Sequence, residues 1–330
     1  LGSYYTMIPS LAKSYKFIYN KDQFLEAGIT EPPKTWKEFM TTLKALNHIG
    51  LTSFGIGISD SFDQMTTLCN YITDHVYYSK INGIDVFPRD GVIETEEMVR
   101  ALDLKLINVK DPEMTKALEL FKDFHRYWNS DYVDATDADI TQRFMDGKVS
   151  VILGSSWDLP EYSSQNKINW GVFSFPIITS EDLPSSTGRV MEPEPVETAY
   201  AVSNDAIQRG TVDYCADFLM TFTTYNAMNM FDNSYILRRG NEVYSPQTGS
   251  DTAGSNYYTQ FDISGEVMPN ATPAFYSFNN RDIQADVCHE LIQYIDGEIS
   301  AEEFLIFREK SAEDYANKLK IKFGWSFNNE

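Results

Sequence analysis

Phe144-Met-Asp-Gly-Lys-Val-Ser-Val-Ile-Leu-Gly-Ser-Ser-Trp-Asp-Leu-Pro160 is the stretch on which the reading of this chain turns. It reads as a helix end, a turn at Asp146-Gly147, and a short apolar run from Val149 to Leu153. An apolar run of that length between turn signals suits a buried strand. The run stops at Gly154-Ser155-Ser156, and Trp157 follows directly. In open α/β sheets, clefts lie outside the carboxyl ends of the strands. A large ring at such a strand end either packs in the core or offers a flat face to a cleft. A face of that kind suits a sugar, whose C–H groups stack on it while its hydroxyls seek acceptors.

Working outward, strands and helices alternate, which predicts an α/β fold. Upstream, Lys16 to Tyr19 reads as a strand, with Asn20-Lys21-Asp22 turning into a short helix that ends at Gly28. Thr35 and Glu38 form a Thr-x-x-Glu capping box, with Phe39, Leu43 and Leu46 continuing at helical spacing. Phe54 to Ile58 is a short strand that stops at Ser59-Asp60-Ser61-Phe62, before a helix from Gln64 to Tyr77. Lys80 to Glu97 reads as turn-rich surface, and Asp111-Pro112 opens a helix carrying Leu118, Phe121, Phe124 and Trp128 on its inner side. Downstream, Trp170 to Pro176 and Ala199 to Ser203 read as strands, the second feeding a helix from Val212 to Thr223. Ser300 with Glu303 caps a last amphipathic helix to about Leu319.

Composition excludes several classes of function. A net charge of −21 over 330 residues argues against nucleic acid, whose phosphates need clustered Lys and Arg. It also argues against direct adsorption to an anionic membrane surface. No run approaches the roughly 18 apolar residues of a membrane span. Three cysteines lie far apart, each among apolar residues, so buried free thiols are expected at Cys69, Cys215 and Cys288. The aromatic content, 14%, exceeds what core filling alone asks for.

Catalytic and metal patterns are missing where they would be sought. His48, His75, His125 and His289 are scattered, without zinc-ligand spacing. Asp131, Asp134, Asp137 and Asp139 lack the Gly and distal Glu of a calcium loop, and Asp139 with Gln142 reads better as a helix cap. Gly154-Ser-Ser-Trp is not a nucleophile elbow, and the glycines near Ile56 make no dinucleotide fingerprint. With 48 acidic residues some close pair is almost inevitable, so a glycan-cleaving enzyme with two carboxylates stays open as the alternative.

The order of these pieces resembles the extracellular solute-binding proteins of ABC sugar importers, family 1, the maltose-binding-protein-like group. Ile18-Tyr-Asn-Lys-Asp-Gln-Phe-Leu-Glu-Ala-Gly28 with Pro32-Pro-Lys-Thr-Trp-Lys-Glu-Phe39 is similar to the family's most recognisable stretch. Phe144 to Lys148 followed by Gly154-Ser-Ser-Trp157, Ala199 to Ser203, and Gly265-Glu-Val-Met-Pro-Asn270 before an aromatic cluster are similar to later family segments in the same order.

The resemblance implies a type II periplasmic-binding-protein-like fold of two α/β lobes closing by a hinge. It implies that residues 1–12 are crossover and hinge, that 13–198 plus 267–330 form the second lobe, and that 199–266 belong to the first. It further implies an upstream portion that builds most of the first lobe and carries a signal peptide and, in some relatives, a lipid-anchored Cys. Trp157 falls on the sugar-stacking position. Asp60 and Phe62 fall where relatives place an acidic hydrogen-bond acceptor and a stacking aromatic; the residues alone leave open a second reading of each, Asp60 as a cap of the helix that follows and Phe62 as core. Lys13 lies on the hinge, where the family's ligand-contacting residue is a Glu. Phe275, Tyr276 and Phe278 occupy the late aromatic segment, and Glu194 lies on a loop that faces the cleft in relatives. The expected partners are a carbohydrate and the ABC permease subunits, with no nucleic acid, cofactor or metal; a monomer is expected, extracellular as a surface lipoprotein or periplasmic. A polyamine is the non-sugar alternative that the acidic residues would suit.

Overall fold

A computed structural model describes residues 6–13, 15–86, 93, 95–108, 110–155, 158, 162, 168–189, 191–192, 196–222, 237–239, 242–244, 266–267 and 281–327. The Phe144 stretch folds as its sequence reads. A helix from Asp137 to Met145 ends in a turn with Gly147 at φ 70°, and strand β4 follows from Val149 to Ser155, buried throughout.

β4 pairs on one side with β3 (Thr52–Gly55) in parallel and on the other with β2 (Tyr15–Asn20) antiparallel. β5 (Trp170–Phe173) completes a four-stranded sheet in the order β3-β4-β2-β5. Side chains alternate across it with period two. Tyr15, Phe17 and Tyr19 enter the larger core with Val151 and Leu153; Ile18 and Ile152 enter a second core with Phe144, Tyr162 and Trp170. The sheet is thus covered on both faces, which is why its central strands read as continuous apolar runs. Phe17 is the hub of the larger core, stacked 5.2 Å from Phe173 and tilted against Phe39 at 5.0 Å. Among the described residues, many of the aromatic rings belong to the core.

The helices obey local signals closely. Thr35 and Glu38 form both bonds of their capping box, and so do Ser300 and Glu303. The helix from Asp137 is capped by Thr136, with Asp139 as the returning acid; Gln142 instead donates to Asp146. That corrects the Asp139–Gln142 cap by one helical turn. The last helix runs from Ala301 to Phe323, past Leu319, until Gly324 at φ 71° ends it in the left-handed conformation. The 80–97 region is not simply surface. A helix spans Thr95–Asp103 and buries Glu97, Met98, Val99 and Ala101. Glu97 accepts the backbone N–H of Val86, so an acid that reads as exposed is satisfied inside. Trp128 is buried as expected, but beyond the helix Pro112–His125 rather than on it.

A second sheet has the order β7-β1-β8-β9, from β7 (Val196–Ala201), β1 (Thr6–Lys13), β8 (Leu237–Arg239) and β9 (Glu242–Tyr244). β1 runs antiparallel to β7, with Lys13 opposite Val196. The chain passes from β1 to β2 across a single residue, Ser14, and in doing so changes sheet. The helix after β7 and a short turn of helix at Asn204–Gln208 spans Val212–Phe222. A two-residue parallel pair, β6 (Met191–Glu192) with β10 (Glu266–Val267), completes the strands described.

Candidate functional site

Register places four chain ends on one edge of the first sheet. β3 and β4 are parallel, with Gly55 opposite Ile152, so their carboxyl ends point the same way. Tyr15 lies opposite Ser155, which brings the start of β2, and Lys13 two residues before it, to that edge. β5 runs antiparallel to β2 with Phe173 opposite Phe17, so its carboxyl end points there too. This is the edge at which open α/β sheets present ligand sites. The segment Ile56–Phe62 leaves it from β3, and the segment with Trp157 leaves it from β4.

The segment after β3 is bound tightly to residues 129–137. Ile56 N–H donates to Asn129 Oδ1 (2.9 Å), Ile58 N–H to the Tyr132 carbonyl (3.0 Å), and Ser59 N–H to the Ala135 carbonyl (3.1 Å). Gly57 permits this approach: a Cβ there would lie 2.4 Å from the Thr136 carbonyl oxygen. Asp60 stands exposed at the end, its Oδ1 accepting the Asp137 N–H at 3.2 Å. Asp60 does not cap its own helix. Ser61 Oγ accepts the Asp63 N–H (3.1 Å), and Phe62 is the N-cap without any side-chain bond. Phe62 is half-buried against the larger core and meets His289 edge to face, centroids 5.6 Å apart.

Asp131, Asp137 and Asp139 each have protein partners. Arg143 donates to both oxygens of Asp131 (2.8 and 2.7 Å), and Asn129 adds a third bond (2.9 Å). The Arg143 hydrogen bonds hold the Asp131 carboxyl well below the usual carboxylate range. Gln64 donates to Asp137, and Asp139 serves Thr136. Among the described residues, no group of three or more His, Cys, Asp or Glu is placed to hold a metal, and no helix is long and apolar enough to cross a membrane. Burial pushes the Cys69 and Cys288 thiols up to about 12, whereas Cys215 is only half-buried, which corrects the expectation for it.

At the end of β4, Asp158 Oδ2 accepts both the N–H and the hydroxyl of Ser155 (3.1 and 2.6 Å). Gly154 lets Ile18 pack closely: a Cβ there would lie 2.2 Å from Ile18 Cδ1, and the Ile18 side chain would have to shift. Trp157, Glu194, Phe275, Tyr276 and Phe278 lie outside the described residues, as does the side chain of Lys13. An open groove of about 480 Å³ among Glu31, Pro33, Lys37 and Thr41 involves none of the edge residues. We set it aside because it lies beside a helix start instead of at strand carboxyl ends. Sequence reasoning missed Asn129, which fixes the Asp60 segment, and weighed His289 only as a zinc ligand.

A family profile described as bacterial extracellular solute-binding protein matches residues 2–234. No curated protein matches the chain by sequence. Among solved structures, a chitin oligosaccharide binding protein superposes with a TM-score of 0.67 at 16% identity, covering 94% of this chain and 71% of that one. The maltose-bound MalE3 of T. maritima gives 0.63 at 14% identity, covering 95% and 72%. The solute-binding protein RafE in complex with raffinose gives 0.62 at 16% identity, covering 95% and 73%. At identities this low, the superpositions show a shared fold and nothing finer.

Proposed function

The chain belongs to the bacterial extracellular solute-binding proteins, and from that premise we propose that it captures a carbohydrate, an oligosaccharide, and delivers it unaltered to the permease subunits of an ABC importer. The observation that carries this reading is the shared sheet edge. There the rigid Asp60–Phe62 segment and the Trp157 segment leave neighbouring parallel strands. An anchored carboxylate together with aromatic rings suits a sugar: rings take its apolar faces, and a charged acceptor takes its hydroxyls. The ligands named for the chitin oligosaccharide, maltose and raffinose structures point to the same class.

In this reading residues 13–198 and 267–330 form one lobe, 199–266 belong to the other, and the β1–β2 passage at Lys13 is part of the hinge. Lobe closure excludes water from the bound sugar and strengthens each hydrogen bond within. Trp157, Phe62, Phe275, Tyr276 and Phe278 supply stacking faces, and Asp60, Lys13 and Glu194 supply polar contacts. The protein works outside the membrane as a monomer, periplasmic or held by a lipid anchor.

A thermal-shift screen against maltose, raffinose, chitin oligosaccharides and spermidine tests the proposal. A ligand that binds only the folded state raises the melting temperature. A shift with one glycan series, the glycan recovered intact by chromatography, supports the receptor; a shift with spermidine alone overturns the ligand class, and cleaved glycan overturns the receptor role.

A further inference from the structure

Phe62 and His289 cross at 85°, centroids 5.6 Å apart. Phe62 is the N-cap of its helix, and its phenyl ring has no hydrogen-bonding group, so packing alone sets its orientation. One side of its ring lies against the larger core. His289 is exposed, while Val287, Cys288, Leu291 and Tyr294 carry the buried face of the helix Arg281–Asp296. The core therefore does not require an aromatic residue at 289; what that ring meets is Phe62.

A stacking platform gives full affinity only when its plane is fixed before the ligand arrives, because ordering a side chain on binding subtracts from affinity. Edge-to-face pairs of rings are directional and hold such a plane. We infer that His289 is a positioning residue of the ligand site, holding the ring of Phe62 in its stacking orientation. The inference rests on the carbohydrate-receptor reading of Phe62. It also ties a third element to the site edge, since the helix bearing His289 follows Phe275–Phe278 in the chain.

The experiment is calorimetric titration of wild type, Phe62→Ala, His289→Ala and His289→Phe with maltose, raffinose and chitin oligosaccharides, each protein first checked for an unchanged melting temperature. His289→Ala should bind about two- to tenfold more weakly, the range that one edge-to-face pair supplies. His289→Phe keeps a ring edge without the imidazole nitrogens and should restore wild-type affinity to within about twofold. His289→Ala equal to wild type, with Phe62→Ala weakened, overturns the inference and leaves the receptor reading intact. His289→Phe as weak as His289→Ala also overturns it. Phe62→Ala equal to wild type, or no binding of any of these sugars, removes the reading of Phe62 and the inference with it.

Discussion

Asp60 Oδ1 accepts the backbone N–H of Asp137 at 3.2 Å, which ties the segment after β3 to the first turn of the helix leading into β4. One carboxylate oxygen is thus engaged by the protein, while the residue as a whole stays exposed and able to meet a ligand hydroxyl. Asp60→Asn keeps an oxygen for the Asp137 N–H but loses the charge. It should melt like wild type and bind sugar about 1.5–3 kcal/mol more weakly, the worth of a charge-assisted hydrogen bond. Equal affinity, read by calorimetry, would leave Asp60 a purely structural residue.

In the sequence Trp157 comes two residues after a strand whose every residue is buried, and between Ser155 and Asp158, whose side chains are hydrogen-bonded. Trp157→Ala should cost roughly 1–3 kcal/mol of sugar binding, as for other buried aromatic anchors. Unaltered affinity with an intact fold would return the residue to the core.

The sheet was legible because its evidence is local. Val149–Leu153 between turn signals is a strand by composition, and the Thr35–Glu38 and Ser300–Glu303 boxes are written three residues apart. The Asp60 site was legible only as a position, through a resemblance. Its anchoring by Asn129, Ala135 and Asp137 comes from residues far along the chain, and no periodicity links them. Glu97 misled for a related reason: nothing in the sequence near it announces that Val86 will supply its partner. The His289–Phe62 contact joins opposite ends of the chain and was likewise invisible.

Gly57 offers a test of how far the site depends on that anchoring. Its α-carbon faces the Thr136 carbonyl so closely that a Cβ would lie 2.4 Å away, and the obstacle is backbone, which cannot rotate aside. Gly57→Ala should therefore destabilise the fold by about 1–3 kcal/mol, as overpacking does. It should also weaken sugar binding, because Asp60 and Phe62 lie a few residues downstream on the displaced segment. Urea unfolding and calorimetry read the two effects; a variant as stable and as tight-binding as wild type would show that the segment is not pinned there.

His75 gives a pH dependence whose sign is fixed by its surroundings. It is fully buried, and burial lowers its pKa from 6.5 to about 4. Ser186 Oγ donates to the Ile178 carbonyl, so it accepts from His75 Nδ1–H at 3.0 Å, leaving Nε2 unprotonated and, among the described residues, without a partner. Protonation would put a charge and an unmatched N–H in that place. The unfolded chain therefore binds this proton more readily than the folded one between pH 6.5 and about 4. The stabilisation from keeping His75 neutral is complete above pH 6.5 and declines as pH falls through that window, levelling off below about 4. Its full size is on the order of 3 kcal/mol. Urea unfolding of wild type at pH 7 and pH 4.5 should show a larger loss of stability than the same comparison for His75→Gln, which lacks the titrating group. Equal losses in the two proteins would mean that His75 does not carry the acid sensitivity of this fold.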